Sequence, residues 1–262
     1  MFKDFDIKQF FDDLRIGFRS LRESYEFIRE HRLWIGFWKY GWAARFLTFL
    51  GLVVGFKFWA VIMDWWRSTE MGNPIEMTMS VFSLFKNVSV EGYEMFYAGG
   101  VKYLILILME ILIFHFARKT LEILRGEAID ATFKTFVDAE IRMIKVVIRC
   151  YILEMILTVV ISTGLRIIGL EYLKFIPIFL IQCYFLGFLV IDNYNEIFGM
   201  SIKESELYAR RFLGLALAIG AGTYILLTIP IAGAIIAPLI AGVAATLAMY
   251  NRTIKEEVLE LV

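Results

Sequence analysis

What this chain lacks narrows it first. It has two cysteines, Cys150 and Cys183. Both lie in apolar surroundings without metal-ligand spacing, so they read as small buried residues. It has two histidines, His31 and His115, which leaves little for acid–base or metal chemistry. No Walker loop, no Gly-x-Ser-x-Gly and no His-Glu-x-x-His is present, so an enzyme is not expected and no cofactor is implied. Formal net charge is zero, and the basic footprint of a nucleic-acid binder is missing. The start, "MFKDFDIKQFF", is too acidic and too interrupted for a cleavable signal peptide. Charge itself is absent from Phe212 to Asn251, 40 residues in a row. As one straight helix that run would be about 60 Å long, twice the hydrocarbon thickness of a bilayer.

What is present is apolar. The chain is 59% hydrophobic, and its long uncharged runs do not alternate apolar with polar residues. That pattern predicts an all-α integral membrane protein and argues against a β-barrel. "AARFLTFLGLVVGFKFWAVIM" (43–63) and "VKYLILILMEILIFHFA" (101–117) are expected to be two long transmembrane helices. Trp65 and Trp66 mark the far interface of the first. Residues 1–42 lead into them with charge every few positions, and Phe10, Leu14, Phe18, Leu21, Tyr25 and Ile28 fall on one helical face. This N-terminal amphipathic helix is expected either to pack on the rest of the chain or to lie in the membrane interface, with Trp34, Trp38 and Trp42 at headgroup level.

Two helical hairpins are expected to follow. Residues 128–195 form the first, with a charged tip at Arg166, Glu171 and Lys174. Residues 201–252 form the second, which starts at a Ser201/Glu204 capping pattern and turns at "PIAGAIIAP", where Pro230, Gly233 and Pro238 break or bend the run. That second tip is uncharged. It either stops inside the membrane, shielded by protein, or spans it with an apolar tip. Residues 1–45 hold nine Lys/Arg, 64–100 hold two and 118–149 hold seven. This bias places both termini in the cytoplasm and the 64–100 loop outside. "NVS" at Asn87 is a glycosylation sequon on that outer side, relevant in a secretory membrane.

Several residues are candidates for chemistry. Glu110 lies inside the second span and Glu154 inside the third helix; each suits either a pathway role or a hydrogen bond across helices or to a second copy. Arg142, Lys145 and Arg149 form a stripe where the third helix enters the membrane, and Arg210 and Arg211 could join it. That stripe anchors to headgroups or funnels anions, since the planar guanidinium suits a tetrahedral oxyanion. The broken backbone at the second tip offers free N–H groups to an anion, or is a plain turn closed by small residues.

The C-terminal third resembles the EI24/sulfate-permease (CysZ-like) family. The resemblance runs from Tyr184 to Ala248, through Gly187, Asp192, Tyr194, Ser201, Glu204, Gly214, Gly220, Gly222, Pro230, Gly233, Pro238 and Thr246. It implies two long membrane helices, two hairpins dipping into the bilayer, cytoplasmic termini and homodimers or higher homo-oligomers. It implies a sulfate-type anion permease in a bacterial inner membrane, or an endoplasmic-reticulum protein if the source is eukaryotic. The family's Pro-Gly-Leu-Arg type motif is replaced here by "EHRLWIGFW", where Leu33 can be matched and the nearby Arg32 is an anion-site candidate. The Ala-Pro-Phe type motif is not evident in "LIFHFARKTLEIL". The alternative expectation is therefore a membrane-organising or regulatory protein that transports nothing. Its partners would be the bilayer, further copies of itself and, for a permease, a small inorganic anion.

Overall fold

A computed structural model describes residues 6–35, 101–129, 132–229 and 232–260 of the chain. The expected first span 43–63, Trp38, Trp42, Asn87 and Pro230 lie outside the described residues. Among the described residues the protein is all-helical, with no strand. The helices are α1 (Ile7–Glu30), α2 (Val101–Arg125), α3 (Phe133–Ile167), α4 (Phe175–Ile197), α5 (Ile202–Arg211), α6 (Leu213–Leu227) and α7 (Ala232–Glu260). A short 3-10 turn, Glu171–Leu173, links α3 to α4.

Local chemistry sets the helix ends. The Asp6 carboxylate caps α1 by accepting from the amides of Lys8 and Gln9 at 2.9 and 3.3 Å. Thr132 caps α3, and Ser201 with Glu204 closes the reciprocal capping box of α5 at 3.3 and 2.8 Å. Gly169 and Gly199, with φ of 73° and 70°, stop α3 and α4 in the left-handed conformation. The amides of Leu170 and Met200 then reach back to the carbonyls of Leu165 and Asn195 at 2.8 and 3.3 Å. Arg32 does the same work for α1. Its φ is 46°, and the Leu33 amide bonds the Ile28 carbonyl at 3.3 Å.

The bundle is organised around α6, which packs against α1, α4 and α7. Small residues four apart let backbones touch. Towards α4, a Cβ at Gly187 would lie 1.8 Å from the Ala216 carbonyl oxygen, and one at Gly220 would lie 1.7 Å from that of Cys183. Towards α1, a Cβ at Gly214 would lie 2.4 Å from the Phe10 carbonyl oxygen. Helix α7 covers α2, α1 and α6, while α3 rests on α2 and α4 at the edge and leaves an apolar face exposed.

Among the described residues, two helical segments are long and apolar enough to cross a membrane: Glu171–Ile197, 27 residues, and Ala232–Thr253, 22 residues. They lie almost wholly within the ranges 128–195 and 201–252, and neither is the span expected at 101–117. The predicted span 101–117 lies inside α2, which Lys102 and Glu110 interrupt and which runs on through Arg118 and Lys119. The pair α5–α6 bends by 97° at Phe212. Pro238, expected in the turn, instead sits buried inside α7; its ring removes only the bond to the carbonyl of residue 234. Gly233, also expected in the turn, lies in the first turn of α7, where a Cβ would meet the Leu226 carbonyl oxygen at 2.2 Å. The inner face of α1 also differs from the apolar stripe. Asp13, Gly17, Ser20 and Ser24 are buried, whereas Phe18 and Tyr25 are exposed, because close approach to α6 selects small residues.

The two kinds of glycine are expected to separate on mutation. Gly199→Ala has open space around it and strains only φ, so it should cost about 1 kcal/mol. Gly187→Ala forces α4 from α6 and should cost about 3 kcal/mol or more. Thermal unfolding of the purified variants in detergent checks the order.

Candidate functional site

Charged and amide side chains line a buried seam between α2, α3 and α4. At one end, Lys102 Nζ pairs with Glu154 Oε1 at 2.7 Å, and the Tyr103 hydroxyl donates to the second Glu154 oxygen. Lys102 and Glu154 are 2% and 6% exposed, so this ion pair is held away from water. Eight residues along α2, about 12 Å at the helical rise, Glu110 is fully buried and accepts from Asn193 Nδ2 at 3.3 Å. Its other oxygen has no hydrogen-bond partner among the described residues. Beyond it, Arg142 grips Asp192 with both arms of its fork, at 2.9 and 2.7 Å, and also donates to the Met200 carbonyl. Glu196 lies 3.7 Å from the same guanidinium. Further along α2, Arg118 pairs with Glu122 at 2.6 Å and donates to the Ile129 carbonyl.

Glu140 faces the seam from the amphipathic half of α3, ahead of its apolar half, and one of its oxygens is unpartnered. Burial pushes its carboxyl up to about 7. From Glu154 through Glu110 to Asp192, Glu196 and Glu140, carboxylates outnumber the two cations Lys102 and Arg142. Among the described residues, no group of three or more His, Cys, Asp or Glu is arranged to hold a metal ion.

The candidates from the sequence separate into three groups. Glu110, Glu154 and Arg142 meet in the seam. Arg149 and Arg210 leave it and share one carboxylate, each 2.6 Å from Glu206 on α5. Lys145, Arg211 and Arg32 are exposed. The stripe Arg142–Lys145–Arg149 is thus split: Arg142 turns inward to Asp192, Arg149 turns to α5, and Lys145 stays outside. Arg32 lies just past the end of α1, with its backbone in the left-handed region. Of the predicted turn, Gly233 and Pro238 sit on α7, and no charged side chain accompanies them.

Sequence reasoning missed Lys102, Asn193, Glu140 and Glu206. Lys102 sits at the edge of an apolar run, where it reads as an interfacial cation. Its partner Glu154 is 52 residues away, and no spacing rule joins positions so distant. Asp192 and Asn193 carried a weak signal, as adjacent polar residues closing an apolar helix.

Two outcomes test the seam. Lys102→Met or Glu154→Gln alone leaves a buried partner uncompensated and should cost about 3 kcal/mol or more, while the double variant should recover most of that loss. A double-mutant cycle by thermal unfolding measures the coupling. For Glu140, the folded chain holds a proton more tightly than the unfolded one. Its contribution to stability is fully present below pH 4.5, falls as pH rises, and is lost above about 7. Glu140→Gln should flatten that part of the stability–pH curve.

No protein-family model matches the chain, and neither a curated protein nor a solved structure matches it.

Proposed function

We propose that the chain is a membrane permease whose route follows the seam between α2, α3 and α4, with a small oxyanion of the sulfate type as the solute. The observation that supports this reading is the buried line of ionisable side chains. Such groups are costly in a bilayer and mark ion and substrate pathways. The Arg142–Asp192 pair supplies the recognition chemistry. A guanidinium fork binds two oxygens of one group, and Asp192 occupies that fork as an internal carboxylate. A sulfate-type oxyanion would take the same two donors when the Asp192 carboxylate moves aside. The excess of carboxylates makes the resting seam unfavourable to a free anion, so Asp192 acts as the closed gate. The chain works without a cofactor, in a bacterial inner membrane or an endoplasmic reticulum, with both termini cytoplasmic and further copies of itself as partners.

A second reading has its own observation. The backbone contacts of α6 with α1 and α4 close that side of the bundle, and α5–α6 bends by 97°. A sealed, bent hairpin suits a protein that organises the bilayer and transports nothing.

Sulfate flux into sealed proteoliposomes decides between them. The permease reading expects saturable flux above protein-free vesicles, reduced about tenfold or more by Arg142→Gln, because one lost charged bidentate contact is worth at least 1.4 kcal/mol. Arg32→Gly should retain flux. No flux from folded protein would favour the bilayer-organising reading.

A further inference from the structure

Beside the seam, α3, α4 and α5 enclose a groove of about 330 Å³, at the low end of the size range for small-molecule sites. Its mouth and its walls differ in chemistry. At the mouth, Arg149 and Arg210 each lie 2.6 Å from the Glu206 carboxylate. One carboxylate thus fixes two guanidiniums close together and leaves one net positive charge. Glu206 is tucked in, its side chain 13% exposed, while the arginine side chains remain 49% and 62% exposed. Each guanidinium has five N–H donors, so both keep free donors facing outward. The walls are mainly apolar, with Leu153, Leu157, Phe185 and Phe188, and Tyr184 places its hydroxyl beside Arg210.

The groove sits at a change of polarity along the chain. Arg149 precedes the apolar half of α3, and Arg210 precedes the uncharged α6, so both lie where chain polarity changes. Leu153 and Leu157 follow Arg149 by one and two helical turns. Ile156 lines the groove and is also half exposed on the apolar outer face of α3, with Ile152, Met155 and Val159. The groove is therefore continuous with the surface that would face lipid.

We propose that this groove is a specific site for an anionic phospholipid. One acyl chain lies between Leu153, Leu157, Phe185 and Phe188, and the headgroup phosphate accepts from Arg149 and Arg210. Charge complementarity selects the occupant: an uncharged chain leaves the outward donors unused, and a soluble phosphate leaves the apolar walls empty. The inference needs only the membrane setting and stands apart from the transport reading.

The test is lipid retention by the full chain, purified in an uncharged detergent and observed by native mass spectrometry. Phosphatidylglycerol and phosphatidylcholine with identical acyl chains are added in turn. One phosphatidylglycerol should be retained, preferred about fivefold, the effect of one net positive charge near a membrane surface. Arg149→Gln with Arg210→Gln should erase the preference. Leu157→Trp fills the groove and keeps both arginines, so it should release the lipid even if the double variant fails to fold. Lys134→Gln, an exposed cation elsewhere on α3, should change nothing. Equal retention of the two lipids, retention that survives Leu157→Trp, or displacement by millimolar glycerol phosphate would each overturn the proposal.

Discussion

The contact between α4 and α6 is the constraint on which the other features depend. At Gly187–Ala216 and Gly220–Cys183 the two backbones touch, with no room for a methyl group. Inside a bilayer, no hydrophobic force drives helix to helix, so close dispersion contact and interhelical hydrogen bonds must do it. α4 carries on its length both the glycine that meets α6 and the polar residues that meet α2 and α3. Fixing α4 against α6 therefore places Asp192 within reach of Arg142 and Asn193 within reach of Glu110. Hydrogen bonds fade within a few tenths of an ångström beyond about 3.2 Å. A shift large enough to admit a side chain at residue 187 would undo both pairs.

The second organising fact is electrostatic. Lys102, Glu154, Arg142 and Asp192 sit within a few per cent to a seventh of full exposure, and each has an opposite charge at hydrogen-bond distance. Apolar residues at the same places would pack at least as stably, because burying a charge pair is costly even when it is well paired. A chain of such pairs running along α2, α3 and α4 is therefore poorly explained by stability alone. It has a ready explanation if the seam handles ions. Arg142 also ties the fold together: its third contact, to the Met200 carbonyl, fixes the loop that leads from α4 into α5. Any movement of Asp192 is thereby coupled to the helix that presents Glu206 and Arg210.

The outer surface divides along the same lines. α1 buries small residues against α6 and anchors Asp13 to Arg252 of α7 at 3.0 Å, which leaves Phe11, Phe18 and Tyr25 facing outward at intervals of seven. α3 exposes branched aliphatic residues along its apolar half. Between these surfaces, the bend at Phe212 turns a polar, charged α5 into a wholly apolar α6. The buried Phe212 ring fills the corner, with Arg252 5.8 Å from its centre. Such a bend is what a chain does when one segment is stable in water or headgroups and the next is not.

Much of this was legible in the sequence. The capping box at Ser201 and Glu204 and the all-helical class follow from local rules, because caps and periodic apolar faces involve residues only a few positions apart. Gly187, Gly214 and Gly220 were visible as points of resemblance, but not which helices they would bring together. Tertiary structure decided what local rules do not reach. It paired Lys102 with Glu154 across 52 residues, turned Arg142 inward and Arg149 outward from one stripe, drew Pro238 into a helix, and buried the small polar line of α1 instead of its aromatic one. Each of these depends on distances between separate helices. Sequence spacing fixes the direction of a side chain around its own helix axis, and only packing determines which neighbour lies in that direction.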